Sequence, residues 1–222
     1  KWLQENGAGS DIPRGWQFLH IDTPTVPDSD PPLLADEYLG FVTSSVQFSN
    51  VQMMLDSDTN LHEEIQTWRV EPTGLNVAIT KGAGQFRAVG QTISIAYSKR
   101  IRNQIEQSIA RLSSKQAKAK IAEVYGSVTE ERAGSESPLR IVVVSSLAGG
   151  TGAGLLLTVC DIVRALNTEA GDDIFGVLYT PEVFHSLGGA STGGVQPNSL
   201  AAISEFLNGY WWNGAASTKT RR

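Results

Sequence analysis

SSLAGGTGAGLLLTVC, Ser145 to Cys160, is the stretch on which the fold turns. Four glycines, Gly149, Gly150, Gly152 and Gly154, crowd into six positions between two apolar runs. Just before them, Leu139 to Leu147 carries the β-branched run Ile141-Val142-Val143-Val144. A near-continuous apolar run of this kind predicts a central parallel strand covered on both faces. Just after them, residues from about 152 to 166 are rich in apolar side chains and predict a helix packed on the sheet. A strand, a glycine turn and a helix start together make a ready anion site. The first helical turn has unbonded N–H groups, and the helix dipole adds partial positive charge there. Glycine lets a phosphate reach the backbone with no Cβ in the way, and Thr151 adds a hydroxyl. The competing reading is structural: the glycines serve only to pack strand and helix closely.

Working outward, Asp172-Asp173 precede a second strand, Ile174 to Tyr179, which stops at Thr180-Pro181. SLGGASTGGVQP reads as a loop, and residues 198–212 as a helix with Asn198 near its cap. Strand, helix, strand and helix in alternation imply an α/β three-layer fold with a mostly parallel sheet. Toward the N-terminus, Gly82-Ala83-Gly84 is a second glycine loop. Val89, Ile93, Tyr97, Ile101, Ile105, Ile109 and Leu112 follow it at intervals of three or four, the signature of one long amphipathic helix. Its other side is basic, with Lys99, Arg100, Arg102, Arg111, Lys115, Lys118 and Lys120 against the single acid Glu106. That side reads either as a solvated face or as a contact for an acidic partner. Residues 126–138 read as a polar linker. Trp16 to Asp22 predicts a short buried strand ending at Asp22-Thr23-Pro24. Residues 24–32 hold four prolines and read as loop. Within 33–80, LADEYLGFV and NLHEEIQTW read as short helices and Leu75 to Ile79 as an extended piece. Residues 24–80 are expected to form an insertion or lid within a single domain spanning 1–222.

The chain has 222 residues, 41% of them hydrophobic and 18% charged, enough for a globular domain with a substantial core. A net charge of −5 and a pI near 5.2 argue against a nucleic-acid partner. No run approaches the roughly 18 apolar residues of a membrane span. The sole cysteine, Cys160, excludes an intramolecular disulfide and fits a reducing cytosol. It reads as a packed thiol rather than a nucleophile. His20, His62 and His185 share no metal-binding spacing. A P-loop needs a lysine where this chain has Gly154-Leu155-Leu156. The dinucleotide fingerprint needs a third glycine where Leu155 stands, which disfavours a nicotinamide-dependent oxidoreductase. Lys1 to Glu5 reads like a helix already under way, as in an excerpt from a longer polypeptide.

Ala148-Gly149-Gly150-Thr151-Gly152-Ala153-Gly154 resembles the tubulin/FtsZ signature G-G-G-T-G-[SA]-G, with Ala148 in place of the first glycine. GAGQFRAVG, Gly82 to Gly90, is similar to that superfamily's preceding phosphate loop. His20-Ile21-Asp22-Thr23 stands where the turn after its second strand falls, and Tyr179-Thr180-Pro181 where its ribose loop begins. Asn198-Ser199-Leu200-Ala201-Ala202 resembles the start of the helix whose Asn contacts guanine. Together these stretches look most like the bacterial tubulin-like family, over most of 16–212 and least over 24–80.

The resemblance implies a Rossmann-like nucleotide-binding domain truncated at both ends, holding GTP or GDP with Mg²⁺ as companion ion. It lays the phosphates on Ala148, Gly149, Gly150, Thr151, Gly152, Ala153 and Gly154, and closes Gly82, Ala83, Gly84 and Gln85 over the terminal phosphate. Gln85 and Arg87 fall near the γ-phosphate; Arg87 reads equally as a surface residue. Asp22 would orient Mg²⁺ through water, or serve only as a strand-end turn. Glu182 would touch ribose. Asn198 would read the guanine edge, or merely cap its helix. The family's first strand would precede Lys1, and its acidic catalytic loop would follow Arg222, so no catalytic residue is assigned within the chain. The implied protein is a cytoplasmic GTPase that assembles head to tail with copies of itself and hydrolyses GTP at subunit contacts. A non-hydrolysing, nucleotide-sensing scaffold is the alternative.

Overall fold

A computed structural model describes residues 16–27, 33–43, 45–59, 62, 65, 79, 80, 82–128, 139–166, 174–184 and 193–212; the side chains of 120, 121, 124–128 and 209–212 are excepted. In chain order the elements are β1 (His20–Pro24), β2 (Tyr38–Val42), α1 (Phe48–Asp56), α2 (Arg87–Ala96), α3 (Ser98–Leu112), α4 (Lys115–Val128), β3 (Ile141–Ser146), α5 (Gly150–Leu166), β4 (Ile174–Tyr179), a 3₁₀ turn (Pro181–Phe184) and α6 (Val195–Trp212).

The architecture is mixed α/β with parallel strand pairing, as the alternation predicts. β1 lies parallel to β2, with His20 beside Tyr38 and Pro24 beside Val42. β3 lies parallel to β4, with Ile141 beside Ile174 and Ser146 beside Tyr179. These are two small sheets, not one. Between them lies a cavity of about 240 Å³, walled by Leu19 and Ile21 on one side and Ile141 and Val143 on the other. A common core nonetheless runs beneath both, joining Phe41 of β2, Val51 of α1, Ile93 of α2, Ile101 of α3 and Leu155 of α5.

β3 is not covered on both faces. Ile141 and Val143 turn inward to the core clusters. Val142 and Val144 point the other way and are 55% and 58% exposed. Their register neighbours Phe175 and Val177, with Tyr179, share that bare face. Among the described residues the helices that pack on β3 lie on one side, so the arrangement there is two layers deep.

Other expectations change for local reasons. YLGFV, read as helix, is the strand β2; its Tyr, Phe and Val favour a pleated, half-buried surface. Gly40 lets β2 come close to β1's end, since a Cβ there would stand 2.0 Å from the Pro24 carbonyl oxygen. The strand expected at Trp16 begins only at His20 and runs to Pro24. Residues 24–80, expected as an insertion or lid, supply β2, α1 and the buried Phe48, Leu55, Ile65 and Ile79. Of NLHEEIQTW only His62 and Ile65 are described, both helical, and of Leu75 to Ile79 only Ile79.

The single long helix is in fact α2 and α3, broken at Tyr97, whose φ of −106° and ψ of 15° leave the helical region. The Tyr97 ring stacks on Phe41 at 5.1 Å, and Arg100 lies over both rings. The break keeps Val89, Ile93, Ile101 and Ile105 facing inward, so the periodicity runs straight through it. Two of the basic side chains are used within the fold: Arg100 donates to the Gly40 carbonyl and Arg111 pairs with Asp36 at 2.8 Å. α4 reaches Val128, so three residues of the expected linker are helical; 129–138 lie outside the described residues. Among the described residues no helix is long and apolar enough to cross a membrane.

Candidate functional site

The two glycine loops, far apart in sequence, meet at the carboxyl ends of the strands. The Gly150 N–H donates to the Gly84 carbonyl at 2.8 Å, and the Ala83 N–H donates to the Thr151 hydroxyl at 3.1 Å. Gly82 and Gly84 take positive φ, 109° and 57°, which a side chain would resist. α2 and α5 cross in close contact just beyond the loops, and glycine permits it. A Cβ on Gly90 would stand 2.1 Å from the Gly150 carbonyl oxygen, and one on Gly154 2.5 Å from the Gln91 nitrogen. A Cβ on Gly150 would meet the Ala83 and Gly84 carbonyls at 2.7 Å, and one on Gly152 the Ser146 carbonyl at 2.9 Å.

Packing therefore accounts for Gly150, Gly152 and Gly154. It does not account for Gly149, where an added Cβ would meet nothing within 4 Å. Gly149 opens onto clear space at the start of the 17-residue helix α5. Among the described residues no acceptor takes the N–H of Gly149, Thr151 or Gly152. Ala153 N–H begins the helical ladder by bonding Gly149, and Ala148 N–H is taken by Ser146 Oγ. The result is a small rim of unspent donors with the helix's positive pole behind it.

Thr151 is a hub. Besides receiving Ala83 N–H, its hydroxyl bonds that of fully buried Thr23 at 3.0 Å. This ties β1 to both loops and makes Thr23, not the predicted Asp22, the β1 residue that faces them. Alternation along the strand turns Asp22 the other way. There its Oδ1 accepts the Thr23 N–H at 2.6 Å and its Oδ2 lies 3.7 Å from His20 Nε2.

Arg87 is neither a surface residue nor free to meet a phosphate. Its guanidinium grips Glu205 of α6 through two bonds, at 2.8 and 2.5 Å, and its side chain is only 9% exposed. Nothing in the linear sequence links these two residues, and Glu205 escapes notice there. Gln85 is likewise engaged: its Oε1 accepts the Gly194 N–H at 2.6 Å. Asn198 lies buried in the first turn of α6. Its Nδ2 donates to the Gln85 carbonyl at 2.8 Å and the Ala148 carbonyl at 2.9 Å. Glu182 is exposed in the 3₁₀ turn, which packs against α6; the loop holding Ala148 is joined to β4 by the Leu147 N–H to Tyr179 carbonyl bond. Beside these contacts, Gln85 to Ala88 and Pro197, Asn198 and Ala201 of α6 wall a shallow cavity of about 350 Å³. His185 lies outside the described residues, and among those described no cluster of His, Cys, Asp or Glu could hold a metal ion.

A family model described as tubulin-like matches residues 3–221. No curated protein and no solved structure matches the chain.

Proposed function

The chain belongs to the tubulin-like family, and we propose on that premise that it binds a guanine nucleotide by its phosphates at the start of α5. One observation carries this reading. Of the four glycines from Gly149 to Gly154, Gly149 alone has no packing reason to be glycine, and it stands beside unspent N–H donors. Such a rim fits phosphate oxygens: backbone donors converge, no Cβ intrudes, and the helix pole favours negative charge. Gly149, Thr151 and Gly152 would hold the phosphate; Gly82 to Gln85 form the wall beside it.

The residues present do not fit Mg²⁺ in the same way. Asp22 sits beside His20 on one face of β1, away from Thr151. The carboxylates of Asp22 and Glu205 both hold protein partners, the Thr23 N–H and the Arg87 guanidinium. GTP hydrolysis would then wait for a residue from another subunit, in keeping with a cytoplasmic protein that assembles head to tail into filaments. The same observation favours, as second reading, a nucleotide-sensing scaffold that binds without hydrolysis.

Isothermal titration of the complete polypeptide with GTP, GDP and ATP tests the binding. Gly149→Val should abolish binding while leaving the melting temperature nearly unchanged; equal affinity in the variant would sink the assignment. Turnover per subunit should rise with protein concentration if assembly completes the site. Binding without any concentration-dependent turnover selects the scaffold.

A further inference from the structure

We infer that α6 is the positioning element of the glycine loops, and that Asn198 positions phosphate rather than reading a base. The inference rests on the proposed phosphate site for its ligand, but its geometry stands apart from it. A primary amide nitrogen carries two hydrogens. In Asn198 one goes to the carbonyl of Gln85, where the first loop enters α2, and the other to that of Ala148, where the second loop leaves β3. Asn198 is 8% exposed; its bond to Ala148 is buried and its bond to Gln85 partly so. A single nitrogen thus sets the spacing between the two loops.

The grip is reinforced around it. Gly194, just ahead of α6, donates to the Gln85 side chain, and its lack of a Cβ is required: one there would stand 2.7 Å from Gln85 Cβ and 2.8 Å from Gln85 O. Gln85 is therefore held by backbone and side chain together. Two turns further along α6, Glu205 holds Arg87, the first residue of α2. Two successive parts of α6 thus fasten both sides of the entry into α2. The donors of Asn198 are spent on this task, so reading a base with them would mean breaking both bonds.

The experiment compares GTP with tripolyphosphate, which has no base, in titrations of the complete polypeptide and its Asn198→Ala variant. A positioning residue should weaken both ligands by a similar factor, about tenfold, as the loss of this pair of hydrogen bonds implies. Loss confined to GTP would show a base reader and overturn the inference. If the wild type binds neither ligand, the phosphate reading fails, and hydrogen exchange judges the clamp alone. The amides of Phe86 and Gly150 bond to the Ala83 and Gly84 carbonyls. In Asn198→Ala they should exchange about tenfold faster while those of α3 keep their rates; unchanged rates at Phe86 and Gly150 would overturn the clamp. Asn198→Asp adds a readout that packing alone cannot mimic. As a carboxylate it would set acceptors against two carbonyls, and lowering the pH should restore protection as it regains a proton; protection that ignores pH would count against the clamp. Should Asn198→Ala fail to fold, Asn198→Ser, which keeps one donor, carries the same comparisons.

Discussion

Thr151 looks in sequence like a ligand-binding hydroxyl, yet the fold uses it first. Replacing it with the near-isosteric Val would strand the Thr23 hydroxyl and the Ala83 N–H, both buried. Unsatisfied buried groups cost about 1–3 kcal/mol, so Thr151→Val should lower urea stability by that order, with Thr151→Ser recovering most of it. Lost nucleotide affinity in Thr151→Val would thus report a damaged wall, whereas Gly149 reports the ligand. A paired comparison makes the contrast sharp. Gly149→Ala should change stability by less than about 0.5 kcal/mol, as for an unhindered surface site. Gly154→Ala would press a methyl within 2.5 Å of the Gln91 backbone nitrogen, and should cost about 1–3 kcal/mol or more in denaturant melts. Cys160 offers a pH test. Burial, then the Asp161 charge, push its thiol up, with Arg164 opposing. A raised native pKa means that its contribution is fully present below the ordinary thiol value of about 8.5 and is lost as pH climbs through the native one. Urea midpoints measured from neutral to alkaline pH should fall less steeply in Cys160→Ala than in the wild type.

The Arg87–Glu205 pair acts between elements, and its worth depends on which partner is removed. Glu205 is 42% exposed and Arg87 nearly buried, so losing the carboxylate leaves a guanidinium without its counter-charge, its Nε already lacking a partner. Discounted for the exposed side, Glu205→Gln should cost about 1 kcal/mol. Arg87→Met with Glu205→Gln, which removes the buried charge as well, should cost less than the sum of the two single losses; denaturant melts of both single variants and the double check this. Such a contact was not legible beforehand, because Arg87 and Glu205 are joined only by how α2 and α6 cross. What was legible is local or periodic. The apolar spacing from Val89 to Leu112 identifies the buried face of α2 and α3, although a break at one residue that preserves the phase leaves no mark in it. The glycine loops could be read, but not which glycines serve packing: that depends on Gly90 and Gly154 meeting across two helices. YLGFV could pass for helix because five residues do not separate the two periods, and only pairing with β1 settles it as strand.

At the scale of the molecule, the outer face of β3 and β4 stands bare and apolar among the described residues. Val142, Val144, Phe175, Val177 and Tyr179 lie side by side in register, each 47–58% exposed, whereas Val143 and Leu178 on the opposite face pack against α5 and α6. A run of five exposed apolar neighbours is the kind of contiguous patch that drives association when nothing covers it. The β-branched run around Ile141 therefore has two roles that composition cannot separate. Every second residue builds the core, and the intervening ones leave an apolar sheet surface facing water. The two sets should answer substitution in opposite ways. Val142→Thr with Val144→Thr keeps β propensity and shape while placing hydroxyls where solvent already reaches, so stability should shift by under about 0.5 kcal/mol for each change. Binding of a hydrophobic dye and self-association in gel filtration should both decline. Val143→Thr, partly buried and packed with Leu178 and Cys160 on the core cluster, should instead cost about 1 kcal/mol for an inward-facing hydroxyl and leave dye binding to the folded domain unchanged. If the outer pair destabilised the fold as much as Val143→Thr, the face would have to be covered in the folded protein, and the two-layer arrangement of the described residues would not be the state in solution.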